Sequence, residues 1–336
     1  MKRPPASETK LLICIWHRFS LWIPPPEFAE SVRRRWPEMR VVHLPNFENI
    51  GLEIPDSDIF VGFSLRPEQF ALARKLKWIH STAAAVGQLM YPELRQSDIE
   101  VTNVRGIHRD PMAEHVLGTL VALARRFPDC LRYQQQGRWA PQELWDAPVR
   151  PRELRGQVVL LIGFGAVGRE ATKLIQPFGV RLWVVTRSGT VTAPDLVEKI
   201  LPATKLHEAL PHADFVVLAA PETPETRQMM GPREFALMKP SAYFVNVARG
   251  SLVDEAALVA TLQRRAIAGA ALDVTAEEPL PSESPLWKLD NVVITPHISA
   301  ATEHLWERQS ALLIENLERW FSGRELLNRV DLSRGY

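Results

Sequence analysis

QVVLLIGFGAVGREATKLI, residues 157–175, passes from an unbroken apolar run through three glycines into a segment with helical spacing. Gly163, Gly165 and Gly168 form the pattern G-x-G-x-x-G. Between a strand and a helix, each glycine has its own task. The first permits a tight turn, the second lets backbone N–H groups approach a ligand, and the third lets helix and strand pack closely. The helix that follows points its N-terminus at the turn, where an anion is favoured. In this context the pattern reads as a dinucleotide pyrophosphate site, with Gly163, Phe164, Gly165, Ala166, Val167 and Gly168 as its candidate residues.

Working outward, the same alternation of apolar runs and helical segments recurs on both sides. Downstream runs at 181–186, 213–220, 242–248, 268–274 and 291–295 bring this region to six expected strands. Upstream, 11–16, 40–44 and 58–63 read as strands, with helices expected at 31–36 and 67–76. Between the two series, PMAEHVLGTLVALARRFP (111–128) predicts one long, largely buried helix, and a Trp- and Pro-rich loop follows at 137–151. A final helix is expected over roughly 301–321, placed to pack back on the first series. Strand–helix alternation argues for parallel sheets covered by helices on both faces.

Composition excludes several classes. The 336 residues carry 40 Lys and Arg against 39 Asp and Glu, a formal charge of +1 that offers nucleic acid or an anionic membrane no footprint. The apolar run at 11–16 lacks a small-residue cleavage site, so it reads as a buried strand and not a leader. The two cysteines, Cys14 and Cys130, fit neither a disulfide framework nor metal-ligand spacing. A cytoplasmic protein with no metal site is expected.

The second strand of the downstream series ends at Thr186, about twenty residues past the glycines, where an acidic residue normally accepts hydrogen bonds from the adenosine ribose of NAD. No acid occurs between Glu170 and Asp195; Thr186, Arg187 and Ser188 stand there. A guanidinium and two hydroxyls suit a 2′-phosphate. NADP(H) is therefore the expected cofactor, with NAD as the alternative.

Three later segments place polar residues just after strands: NVARGSLVDE (246–255), ALDVTAEEPLP (271–281) and ITPHISAAT (294–302). Ligands of open parallel sheets sit beyond the carboxyl ends of the strands, the edge these segments share with the glycine turn. Together with P-E-T-P-E-T (221–226) and A-E-H-V-L (113–117), they resemble the D-isomer-specific 2-hydroxyacid dehydrogenase family, in its glyoxylate/hydroxypyruvate reductase-like branch. Glu222 stands where that family's motif carries leucine.

The resemblance implies two doubly wound parallel-sheet domains: a Rossmann cofactor domain (105–298) inserted in a flavodoxin-like, discontinuous substrate domain (1–104 with 299–336). It implies Arg249, Glu278 and His297 as the catalytic set. Arg249 would grip the carboxylate and carbonyl of a 2-oxo acid, and His297 would give the carbonyl oxygen its proton. Glu278 would orient the imidazole and favour its charged form. Pro221, Thr226, Ala248 and Asp273 fall on cofactor-side positions. HSTAAAVGQL (80–89) is similar to the family's substrate loop, with Ala84, Ala85 and Val86 presenting backbone N–H groups. A small, polar 2-oxo acid is the implied substrate, and a homodimer built around the Trp139–Trp145 loop the implied assembly. Two alternatives stay open: a nucleotide-sensing, corepressor-like binding protein, and a dehydrogenase of a phosphorylated 2-hydroxy acid for which Arg105 and Arg109 would supply extra cations.

Overall fold

The computed structural model describes residues 3–191 and 194–335. The chain divides into two compact units, Met1–Ile107 with Ala301–Tyr336, and His108–Ala300.

In the first unit a five-stranded parallel sheet contains β1 (Lys10–Cys14), β2 (Arg40–Leu44), β3 (Ile59–Gly62), β4 (Trp78–Ser81) and β5 (Glu100–Thr102) in the order β2-β1-β3-β4-β5, the flavodoxin-like order. Alternate side chains feed the two faces. Leu11, Ile13, Ile59, Val61 and Trp78 meet Leu313, Leu317 and Trp320 of the helix Leu305–Phe321, while Leu12, Cys14, Phe60 and Ile79 form the core of the other face. Trp78 and Trp320 stack with ring centroids 5.5 Å apart, so the last helix is a wall of the first sheet.

The second unit holds a seven-stranded parallel sheet: β6 (Val158–Ile162), β7 (Arg181–Thr186), β8 (Lys199–Pro202), β9 (Phe215–Leu218), β10 (Tyr243–Asn246), β11 (Gly269–Leu272) and β12 (Val292–Ile294), ordered β12-β11-β10-β9-β6-β7-β8. Counted within the unit, this is the Rossmann order extended by one strand, with the crevice where the order reverses, between β6 and β9. β6 is buried throughout because helices cover both faces, which is why it reads as a continuous apolar run. Val159 and Leu161 pack toward Leu120, Leu123 and Ile175 on one side; Leu160 and Ile162 pack toward Leu206, Phe235 and Phe244 on the other. Removing such a side chain costs about 2–5 kcal/mol.

Several expected elements change. The sequence reading expected six strands in this unit and three in the other; β8, β4 and β5 are additional. The expected helix at 31–36 begins earlier, at Pro26, and runs Pro26–Arg35, with proline where its missing N–H has no cost. The one expected at 67–76 is a single turn, Pro67–Phe70, and Leu72 beyond it is exposed. The long helix is Arg109–Ala124; Arg126 then takes a left-handed conformation and a separate helix, Phe127–Gln135, starts with Pro128 in its first turn. The final helix starts at Leu305, not 301.

Candidate active site

The glycine turn follows β6 at the crevice edge. Gly163 adopts φ +100°, and a Cβ there would lie 2.6 Å from the Ala219 carbonyl oxygen at the end of β9. At Gly168 a Cβ would lie 2.5 Å from the Gly163 carbonyl oxygen, so no other residue lets the helix Ala166–Ile175 sit this close to the turn. Gly165 differs: a Cβ there would meet nothing within 4 Å. It caps the helix without a side-chain hydrogen bond, and among the described residues the first-turn N–H groups have no partner beside that open space. The first and third glycines are demanded by the fold, and the middle one keeps room in front of the amides. That cradle fits a pyrophosphate.

β7 ends in a tight turn. Thr186 Oγ1 accepts from the Gly189 N–H at 2.9 Å, and the Ser188 and Thr190 hydroxyls lie 2.7 Å apart. Arg187 is exposed. No acid is near it in sequence, but the fold brings one: the Glu225 carboxyl lies below the usual glutamate range, chiefly through the Thr223 hydroxyl and partly through the charge of Arg187. Glu225 belongs to the 221–226 turn, which Thr226 closes by donating to the Pro221 carbonyl at 2.7 Å and accepting from the Thr223 N–H at 2.8 Å. The sequence reading missed this neighbour because it compared Arg187 only with adjacent residues.

The remaining candidates converge at the exits of β10, β11 and β12. Asn246, buried at the end of β10, accepts from the Ala248 N–H at 3.0 Å and donates to the Arg249 carbonyl at 3.1 Å, folding this turn back on itself. Arg249 Nη1 donates to the Ala248 carbonyl at 2.6 Å. Gly250 follows because a Cβ there would lie 1.9 Å from the Thr275 carbonyl oxygen; the Arg249 loop thus rides on the Glu278 loop. Burial lowers the Arg249 guanidinium from its ordinary value, and the charges of Glu278, Glu222 and Asp273 oppose that shift. Three carboxylates therefore lie within electrostatic reach of one arginine. Glu222, the departure from the family motif, is itself paired with Arg227 at 2.8 Å.

Asp273, buried just past β11, organises the histidine turn. Its side chain accepts from the Thr295 hydroxyl at 2.6 Å, the Ile298 N–H at 3.0 Å and the Ser299 N–H at 3.1 Å, and its carbonyl accepts from the His297 N–H at 2.8 Å. Held this way, His297 takes φ +52°, a left-handed conformation that a non-glycine residue adopts only when its surroundings insist. The imidazole Nδ1 and Glu278 Oε2 are 2.6 Å apart. Burial raises the Glu278 pKa, but the hydrogen bond and charge of His297, the Thr275 N–H and the charge of Arg249 outweigh it, leaving the carboxyl below its usual range. An ionised carboxylate only accepts, so Nδ1 carries the hydrogen and the exchangeable site is Nε2. Among the described residues Nε2 has no hydrogen-bond partner. Ala84, Ala85 and Val86 belong to the other unit, in the loop after β4. Among the described residues, no three His, Cys, Asp or Glu side chains are grouped to hold a metal, and no helix is long and apolar enough to cross a membrane.

The family model "D-isomer specific 2-hydroxyacid dehydrogenase, NAD binding domain" matches residues 117–299, more than half of the chain. The chain belongs to this family. Its second unit thus carries the NAD-binding domain of an oxidoreductase. A glyoxylate reductase of Thermococcus gammatolerans is 33% identical over 294 residues, spanning 86% of this chain and 86% of that protein. A D-3-phosphoglycerate dehydrogenase of Methanocaldococcus jannaschii is 31% identical, spanning 83% of this chain and 53% of that longer protein. Among solved structures, a D-isomer specific 2-hydroxyacid dehydrogenase of Xanthobacter autotrophicus in complex with NADPH and MES has TM-score 0.82 and 29% identity, with 98% of this chain and all of that one covered.

Proposed function

We propose that the protein reduces a small 2-oxo acid of the glyoxylate or hydroxypyruvate type to the D-2-hydroxy acid, with NADPH preferred over NADH. The observation that carries this reading is the His297–Glu278 pair at 2.6 Å, which leaves Nε2 open, with Glu278 also within electrostatic reach of Arg249, in the unit that holds the phosphate cradle. The names of several relatives support the substrate class.

When bound, the reduced nicotinamide supplies the hydride to the substrate's carbonyl carbon. The first-turn N–H groups after Gly165 hold the pyrophosphate, and Thr186, Arg187 and Ser188 take the adenosine end. Arg249 receives the substrate carboxylate and the carbonyl oxygen through its fork of donors. His297, protonated at Nε2, gives its proton to the oxygen as negative charge develops there; in the oxidative direction neutral Nε2 takes the proton back. Glu278 holds Nδ1–H, fixing the ring and offsetting its positive charge. Asp273 keeps the histidine turn in place. In the other unit, the substrate domain of this proposal, the amides of Ala84, Ala85 and Val86 bind the substrate carboxylate. The protein acts as a homodimer, with exposed Phe127, Leu131, Trp139 and Trp145 as the contact surface; sedimentation analysis tests the assembly.

Steady-state kinetics on a panel of 2-oxo acids, phosphorylated ones included, test the reading with both cofactors. The expected result is a higher kcat/KM with NADPH, lowered about ten- to a hundredfold in Arg187→Ala as a charge-assisted pair is lost, with NADH kinetics unchanged. Turnover of no 2-oxo acid, with tight NADPH binding retained, would replace the enzyme by a nucleotide-sensing protein.

A further inference from the structure

The loop after β4 contains a regular arrangement that no local sequence pattern announces. Four successive carbonyl groups accept from side chains: Thr82 from Gln309 Nε2 at 3.1 Å, Ala83 from the Ser81 hydroxyl at 3.2 Å, Ala84 from Asn103 Nδ2 at 2.7 Å and Ala85 from Gln88 Nε2 at 3.5 Å. Each peptide unit is planar and trans, so fixing a carbonyl on one side sends the N–H of the next residue to the other. The Thr82 carbonyl thus sets the Ala83 N–H, which donates to the Ser81 hydroxyl at 3.2 Å, and the carbonyls of Ala83, Ala84 and Ala85 set the N–H groups of Ala84, Ala85 and Val86. Among the described residues none of the three donates a hydrogen bond.

Two of the four donors come from far away in the chain and are almost fully buried. Asn103, just past β5, is 1% exposed, and Gln309, on the helix Leu305–Phe321, is 3% exposed. The rest of Asn103 is fixed as well, since its Oδ1 accepts from the Arg105 N–H at 3.2 Å and its N–H donates to the Asn328 carbonyl at 3.1 Å. Gln309 is one-sided: among the described residues its buried Oε1 has no partner, so its contact with Thr82 is what the amide provides.

We propose that Asn103 and Gln309 are positioning residues for the substrate carboxylate: Asn103, by holding the Ala84 carbonyl, keeps the Ala85 N–H turned outward at the centre of an anion-binding row 84–86, and Gln309 anchors the start of that loop at the Thr82 carbonyl. This rests on the reading of the chain as a 2-oxo acid reductase. Touching no substrate themselves, both act through the direction of the peptide planes. Asn103→Asp and Gln309→Glu are the sharpest variants, because each keeps shape and acceptor but replaces the donor with a second acceptor facing a carbonyl.

The test is the steady-state kinetics of each variant with glyoxylate and NADPH, with inhibition by oxamate, an unreactive carboxylate analogue. The expected result is a glyoxylate KM and an oxamate Ki that rise together by about tenfold, kcat falling less than KM rises, and an unchanged KM for NADPH; that pattern marks lost ground-state binding of one ligand. General loosening of the fold would instead lower kcat and weaken NADPH as well. Asn103→Ala and Gln309→Met, which remove the donor without burying a charge, carry the same test if the acidic variants do not fold. Unchanged KM and Ki in folded variants would overturn the proposal. If the wild-type chain reduces no 2-oxo acid, the reductase reading fails by itself. Oxamate binding, followed by tryptophan fluorescence, then decides: binding weakened in the variants upholds the positioning role, and binding that is unaltered or absent overturns it.

Discussion

The runs Gly163–Gly168 and Thr82–Val86 both offer backbone N–H groups beyond the carboxyl end of a parallel strand, β6 in one unit and β4 in the other, and they reach that state by opposite routes. The first is locally encoded: Gly163 and Gly168 are there because a Cβ would strike backbone at 2.6 and 2.5 Å, and the helix dictates where the amides point. The second has no glycine within it. Its peptide planes are set by side chains from three other elements, two of them distant in sequence. One candidate anion site is written in a motif of six residues, the other, as proposed, in tertiary contacts. A search for glycine patterns finds the first and passes over the second.

The largest expected effect separates both runs from the chemistry. His297→Ala should lower kcat by about 100- to 10,000-fold while leaving the affinities for NADPH and oxamate near wild type, as judged by fluorescence titration; weakened oxamate binding of similar size would mean that His297 belongs with the binding groups. Glu278→Gln should cost less, about 10- to 100-fold in kcat, because the imidazole keeps a hydrogen-bond partner but loses the compensating charge. Its stability follows a defined pH course. The Glu278 carboxyl is held below its usual value, so its contribution is present above the ordinary glutamate pKa and fades as pH falls through the lowered folded-state value. Melting temperatures of wild type and variant should converge toward low pH; a gap that widens on acidification contradicts the assignment.

Within the glycine run, Gly165→Ala should leave the melting temperature unchanged and weaken NADPH about tenfold, since its Cβ enters only open space. Gly163→Ala should instead destabilise the fold by about 1–3 kcal/mol, from overpacking at a positive φ. Equal effects at the two positions would erase the distinction between a glycine needed by the fold and one needed by the ligand. The smallest effect belongs to the other run: Ala84→Gly should raise the glyoxylate KM about two- to fivefold, the size of the added backbone freedom.

What was legible follows the same division. β6, β7, β9, β10 and β11 read directly because buried parallel strands are continuous apolar runs. β4 did not, because it buries His80 and Ser81; the imidazole of His80, pushed down to about 3 by burial, is accommodated through Thr102 Oγ1 at 2.9 Å. β8 escaped as an edge strand with Lys199 at one end and Pro202 at the other. The break in the long helix turns on one backbone angle, φ +59° at Arg126, which no periodicity reveals. In the site, Arg249, Glu278 and His297 were readable because each follows a strand on one edge and sits in a motif. The neighbourhood of Glu225 and Arg187, and the reach of Gln309 to Thr82, depend on how loops and helices from separate parts of the sequence meet.

His297 sits at φ +52° with three hydrogen bonds from the turn around it spent on the Asp273 side chain. For a residue other than glycine that posture costs about 1–2 kcal/mol, so the fold bears a cost at the residue proposed as its proton donor. His297→Gly would relieve that cost but strip Glu278 of its partner at 2.6 Å, so the variant should melt no higher than the native protein and turn over almost nothing. The strained posture and the ion pair it permits stand or fall together, so selection for heat resistance alone gives no ground for losing this position.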